Sequence, residues 1–223
     1  NDEDGAIDWP DDEGCAARGA ACERVGHGLC GGACEDLQTN PMHCGECGRQ
    51  CEAGVECIAG FCGGLFAFEG ILQNTSNDEL NGWEVCHQDT FGDSNTRINT
   101  ILANCDGEYI MLGCKEAASD TWALLAMGER DEVFRDTGAG NNVNNHNGVD
   151  FYFGNQTKSM GFVSPGTGVS RNSCDTAQEQ PEFRMCWHIN NGNLTSGYRC
   201  GQMTLVGNRN WQRTVWTSTN SPD

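Results

Sequence analysis

Nine cysteines fall within 48 positions, at Cys15, Cys22, Cys30, Cys34, Cys44, Cys47, Cys51, Cys57 and Cys62. Aliphatic residues are nearly absent between them, so this stretch cannot bury a core and must be held by disulfides. The rest of the chain sharpens the point. Leu, Ile, Val and Phe make up 37 of 223 residues, and the formal net charge is −19. Few aliphatics with high charge ordinarily read as disorder. Fifteen cysteines and six tryptophans reverse that reading in favour of a covalently stapled chain. So many thiols point to an oxidising, extracellular destination. No apolar run approaches the ~18 residues of a membrane-spanning helix. Thirteen basic residues against 32 acidic ones exclude the cationic face that nucleic-acid binding needs.

Composition divides the chain into an acidic leader (1–14), a cysteine-rich disulfide module (15–62) and a β-rich domain (63–223). Seven of the first 14 residues are Asp or Glu and none is basic. The chain opens Asn1-Asp2-Glu3-Asp4 with no basic or apolar signal region, so it reads as a mature chain whose signal peptide has been removed. Within the leader, Ile7 and Trp9 are large apolar groups suited to contact a neighbouring subunit.

The most specific motif is Cys44-Gly-Glu-Cys47-Gly-Arg-Gln-Cys51, continuing to Cys57 and Cys62. Glycines between close cysteines permit the tight turns that bring sulfurs together. The motif resembles the extracellular CGxCGxxC-type cysteine-rich modules of plant stigma-specific proteins and of myxobacterial surface proteins, over residues 34–62. That resemblance implies a rigid secreted module without catalysis. Cys44-x2-Cys47 also has zinc-ligand spacing. No second such pair follows roughly 12–20 residues on, and nine thiols exceed a four-ligand site.

Beyond residue 63, short apolar runs alternate with turn signals, among them Tyr109–Cys114, Thr121–Met127, Asp150–Phe153, Met160–Val163, Phe183–His188 and Trp211–Thr217. Asn81-Gly82, Asn147-Gly148 and Asn191-Gly192 suit tight turns. One helix is expected over Asn95–Asn104, with Ser94 as N-cap and Ile98, Ile101 and Leu102 on one face. The expected class is therefore mainly β: a small disulfide module followed by a β-sandwich-like domain with one short helix. Gly82-Trp83-x-x-Cys86, Ser170-Arg171-Asn172-Ser173-Cys174-Asp175, Cys186-Trp187-His188 and Gly197-Tyr198-Arg199-Cys200-Gly201 also resemble an uncharacterised extracellular β module of bacterial and invertebrate proteins. That likeness implies extracellular placement.

No catalytic constellation emerges. There is no G-x-S-x-G, and the five histidines form neither an H-E-x-x-H nor an H-x-H pair. Two binding sites are candidates. Asp136, Asn141, Asn142, Asn144 and Asp150 lie in a loop rich in oxygen ligands and glycine, as a calcium site would be. The competing reading is an ordinary polar loop. Trp187, Asn191, Asn193 and Tyr198 combine stacking rings with planar amides, the chemistry of a carbohydrate site. The competing reading makes the tryptophans core.

The cysteines split nine and six. Six in the larger domain (Cys86, Cys105, Cys114, Cys174, Cys186, Cys200) would close three bridges. Cys34 with the five of the motif would close three more. Cys15, Cys22 and Cys30 would then supply one pair and one unpaired sulfur, free or intermolecular. The expected function is a non-enzymatic, secreted subunit of an extracellular filament, appendage or surface coat. It would self-associate through Ile7, Trp9 and the odd cysteine. The alternative is a lectin-like, calcium-dependent adhesin that binds glycans.

Overall fold

The structure, a computed structural model, describes residues 22, 26–58, 60–138, 140–170 and 180–219, and the backbone of 175–176. The chain divides into two compact units between Phe66 and Ala67.

The first unit contains two short hairpins. In the larger, β1 (His27–Cys30) pairs with β2 (Ala33–Asp36). In the smaller, β3 (Cys57–Ile58) pairs with β4 (Phe61–Cys62). Its buried apolar cluster is made of the sulfur residues Cys44, Cys51 and Cys57, with Val55 and Cys62 alongside. Here disulfides occupy the place that aliphatic side chains hold elsewhere.

The second unit begins with β5 (Ile71–Leu72), β6 (Thr75–Ser76) and β7 (Glu84–Thr90), then helix α1 (Ile98–Asn104). There follow β8 (Tyr109–Glu116), β9 (Thr121–Trp122), β10 (Leu124–Glu129) and the one-turn helix α2 (Arg130–Val133). Next come β11 (Asn144–His146), β12 (Val149–Tyr152), β13 (Thr157–Val163), β14 (Val169–Ser170) and β15 (Asp175–Thr176). The chain closes with β16 (Met185–Asn190), β17 (Asn193–Cys200), β18 (Met203–Thr204) and β19 (Trp211–Ser218). Two main sheets result, in the orders β5-β10-β8-β19-β7 and β11-β12-β13-β16-β17-β18.

One core joins both sheets. Ile110, Leu112, Leu124, Ala126 and Val215 from the first meet Phe151, Met160, Phe162, Met185, Trp187 and Leu194 from the second. This is the sandwich-like, mainly β architecture expected from the alternation of apolar runs and turns. Two of the three Asn-Gly pairs turn hairpins. Asn147-Gly148 joins β11 to β12, and Asn191-Gly192 joins β16 to β17, with φ of 49° and 69° and of 49° and 70°. Both residues at positive φ is the type I′ pattern, whose twist matches that of the flanking strands.

The helix corrects an expectation. It begins at Ile98, with Arg97 rather than Ser94 at its N-cap. Tertiary pairing outcompetes the local signal. Asn95 N donates to Leu194 O, Leu194 N donates back to Thr96 O, and Ile98 N donates to Gly192 O. These bonds hold residues 95–97 against the β16–β17 hairpin, with Asn95 at a φ of 73° and Arg97 extended in a bridge to Asn193. Ile98 and Ile101 face the core as expected. The Arg130 side chain caps the C-terminal end, donating to Cys105 O at 2.8 Å and Leu102 O at 2.9 Å.

Candidate functional site

Four disulfides brace the first unit: Cys22–Cys34, Cys30–Cys47, Cys44–Cys57 and Cys51–Cys62. This corrects the expected grouping, in which Cys34 and the five motif cysteines closed three bridges among themselves. Because the β1–β2 hairpin stands against the motif, its two cysteines face different partners. Leu37 N donates to Gly26 O at one end of the hairpin, and Gly45 N donates to Leu37 O where the motif begins. Cys34 therefore meets Cys22, and Cys30 meets Cys47 across the join. Gly45 shows why the motif needs glycine. Its φ is +76°, and a Cβ there would stand 2.5 Å from Gly60 O.

The zinc reading meets the same bridges. Cys44, Cys51 and Cys62 are the one group of metal-capable side chains found close together among the described residues. All three sulfurs are already bonded in disulfides. Eight of the nine cysteines in residues 15–62 are thus paired with one another. The ninth, Cys15, lies outside the described residues, as do Ile7, Trp9 and Cys174. In the second unit, Cys86–Cys105 ties β7 to the end of α1, and Cys114–Cys200 ties the two main sheets together across 86 residues of sequence. Cys186 is disulfide-bonded as well.

The calcium candidates have partners within the protein. Asp136 Oδ1 accepts from Gly138 N, and Asn142 Nδ2 donates to Thr137 O. Asn144 Nδ2 donates to Glu132, at the main-chain oxygen and at Oε2, both 2.9 Å. Both oxygens of the buried Asp150 are engaged, by Asn145 Nδ2 and Gly166 N, each at 2.8 Å. Asn141 also has a partner. These contacts fasten the loop to β12 and α2.

The carbohydrate candidates are separated. Trp187 is wholly buried in the core, so its faces are closed to a sugar ring. Tyr198 belongs to a satellite cluster with Tyr152, Val163, Val169 and Cys186, and stacks on His188 at 4.9 Å. Asn193 Nδ2 donates to Asn191 O within the hairpin turn. Asn191 is exposed at the tip.

A buried charge network escaped the sequence reading. Arg213, with 0% exposure, lies on β19 between Gln212 and Thr214. Its Nε donates to Asp89 Oδ1 at 2.5 Å and its Nη2 to Asp89 Oδ2 at 3.2 Å. The remaining hydrogens reach Thr195 O, Gly197 O and Asp93 O. The guanidinium also lies over the rings of Phe91 and Trp187. Burial pushes the Asp89 carboxyl up, but contacts with His87 and Arg213 outweigh it and hold it below its ordinary value. The network joins β7, β17 and β19. A sign in the sequence was the isolated Arg inside the apolar run Trp211–Thr217.

A shallow cleft of about 400 Å³ is lined by Asp106, Glu108, Tyr109, Glu129, Arg130 and Asp131. Its cation, Arg130, is engaged in capping α1. The lining holds no Ser, Cys or His, so no nucleophile–base pair forms there.

Residues 7–64 match the model of the stigma-specific STIG1-like protein family. The match covers the first unit, which is thus similar to that family's cysteine-rich module, as the CGxCGxxC spacing implied. No curated protein and no solved structure matches the chain. The likeness drawn for residues 63–223 therefore rests on the residues alone. Disulfide density and the STIG1-like match together indicate an extracellular cysteine-rich protein.

Proposed function

We propose that the chain is a non-enzymatic structural subunit of an extracellular filament, appendage or surface coat. The observation that carries this reading is the cysteine arithmetic of the first unit. Eight sulfurs close four bridges around a minimal core, and with fifteen cysteines in the chain at least one sulfur lacks a partner within it; this reading assigns that sulfur to Cys15, beside the acidic leader. A leftover thiol in a secreted chain is suited to an intermolecular bridge. Ile7 and Trp9 would supply apolar contact to the next copy. A head-to-tail contact that does not close generates a fibre. Trp187, being buried, offers no face to a sugar ring, which favours the structural reading over the lectin alternative.

The test is a denaturing gel without reductant, run on the full chain and on Cys15→Ser. Covalent dimers should appear in the parent, collapse with reductant and be absent from Cys15→Ser. A parent that runs as a monomer with one titratable thiol overturns the covalent contact.

A further inference from the structure

Lys115 lies on β8 between Cys114, which faces the core, and the exposed Glu116; by strand alternation it points to the opposite side from the core. It is only 6% exposed. Its Nζ stands 3.3 Å from Asn77 Oδ1, 2.7 Å from Ser119 O and 4.6 Å from the Trp122 ring centroid. These neighbours are an amide, a carbonyl and an indole, all neutral. A buried ammonium is ordinarily paired with a carboxylate. Burial lowers the affinity of this amine for its proton, against the opposing charge of Asp120.

Asn77 is held on the other side. Its N–H donates to Asp120 O at 2.9 Å, and the β6–β9 ladder pairs Ser76 with Thr121. Its side-chain Oδ1 accepts from Trp122 Nε1 at 2.6 Å. Trp122 is itself fixed, 3% exposed and edge-on to Trp216 at 4.4 Å. An enclosed amine and a polarised primary amide thus face each other, and an N–H donor sits on the amide oxygen.

We propose that Lys115 and Asn77 join in an intramolecular isopeptide bond, the lysine nitrogen displacing the asparagine side-chain nitrogen as ammonia. The neutral amine attacks Asn77 Cγ, and the carbonyl π pair moves onto Oδ1, where the Trp122 N–H stabilises the oxyanion. One proton passes from Nζ to Nδ2, which makes the departing nitrogen ammonia. The Cγ–Nδ2 bond breaks, the carbonyl re-forms and ammonia departs. A primary amine and a primary amide are consumed, a secondary amide and ammonia are produced, and no oxidant or cofactor is required. The bond would tie β8 to the segment leading into β7, across 38 residues. It is a cross-link that reductants do not open, and it does not depend on the self-association reading.

The test is the intact mass of the full chain after complete reduction and alkylation, followed by tryptic mapping. The expected mass is below that of the sequence by one ammonia, with no cleavage after Lys115 and a branched peptide containing Asn77 and Lys115. Lys115→Arg and Asn77→Ala should each restore the full mass. Asn77 is exposed, so its variant reads the bond even if Lys115→Arg does not fold. A parent at full sequence mass overturns the proposal, and so does an ammonia loss that persists in Asn77→Ala.

Discussion

Arg213 and Asp89 form the pair on which the second unit most depends at the level of single residues. Removing one partner of a buried ion pair leaves the other charged and desolvated, a loss of about 3–5 kcal/mol. Arg213→Ala is expected to lower stability by that order, read from the midpoint of denaturant unfolding. The pair also predicts a pH dependence. The folded Asp89 carboxyl titrates below its ordinary value of 3.8. Its contribution is fully present above that value and is lost as pH falls through the folded pKa. The stability gap between the parent and Asp89→Asn should therefore narrow below about pH 3.8; a gap constant down to acid unfolding contradicts the assignment. At this scale the sequence was least legible. A charged residue in an apolar strand is visible, but its partner 124 positions away is not. Trp187 fails for a related reason, since the same aromatic composition serves a sugar platform or a core.

At the level of elements, turns and strands were readable because their causes are local. Asn147-Gly148 and Asn191-Gly192 turn their hairpins through the positive φ that these residues reach easily. Tyr109–Cys114 and Trp211–Thr217 became the long strands β8 and β19 for a similar reason, since both faces of these strands are largely covered. The start of α1 was misplaced because Asn95 and Ile98 bond to a hairpin about a hundred residues distant, which no local pattern displays. The β13–β16 pairing supplies an element-scale prediction. Gly161 faces Cys186, and a Cβ at Gly161 would lie 2.0 Å from Met185 O, a main-chain atom that cannot swing aside. Gly161→Ala is expected to cost at least about 1–3 kcal/mol by overpacking, seen as a fall in Tm. An unchanged Tm would show that the two strands can separate without penalty.

Across the whole molecule, the division between a sulfur-held unit and an apolar-core unit was legible from where cysteines and aliphatics fall. The pairing was not, because sulfur partners are chosen by the hairpin's placement rather than by spacing. The two units should respond differently to reductant. The first has little besides its four bridges, whereas the second keeps an apolar core spanning both sheets. Under mild reduction, hydrogen exchange should accelerate at β1 and β2 while β8 and β19 stay protected; uniform loss of protection contradicts this. Within the second unit, Cys114–Cys200 joins positions 86 residues apart. Replacing both with Ala should cost on the order of 4–5 kcal/mol. The central claim, that this chain builds an extracellular assembly, is tested most directly by electron microscopy of the native, unreduced protein. The account predicts filaments or sheets that disperse with reductant or with Cys15→Ser, whereas dispersed single particles at every concentration would contradict it.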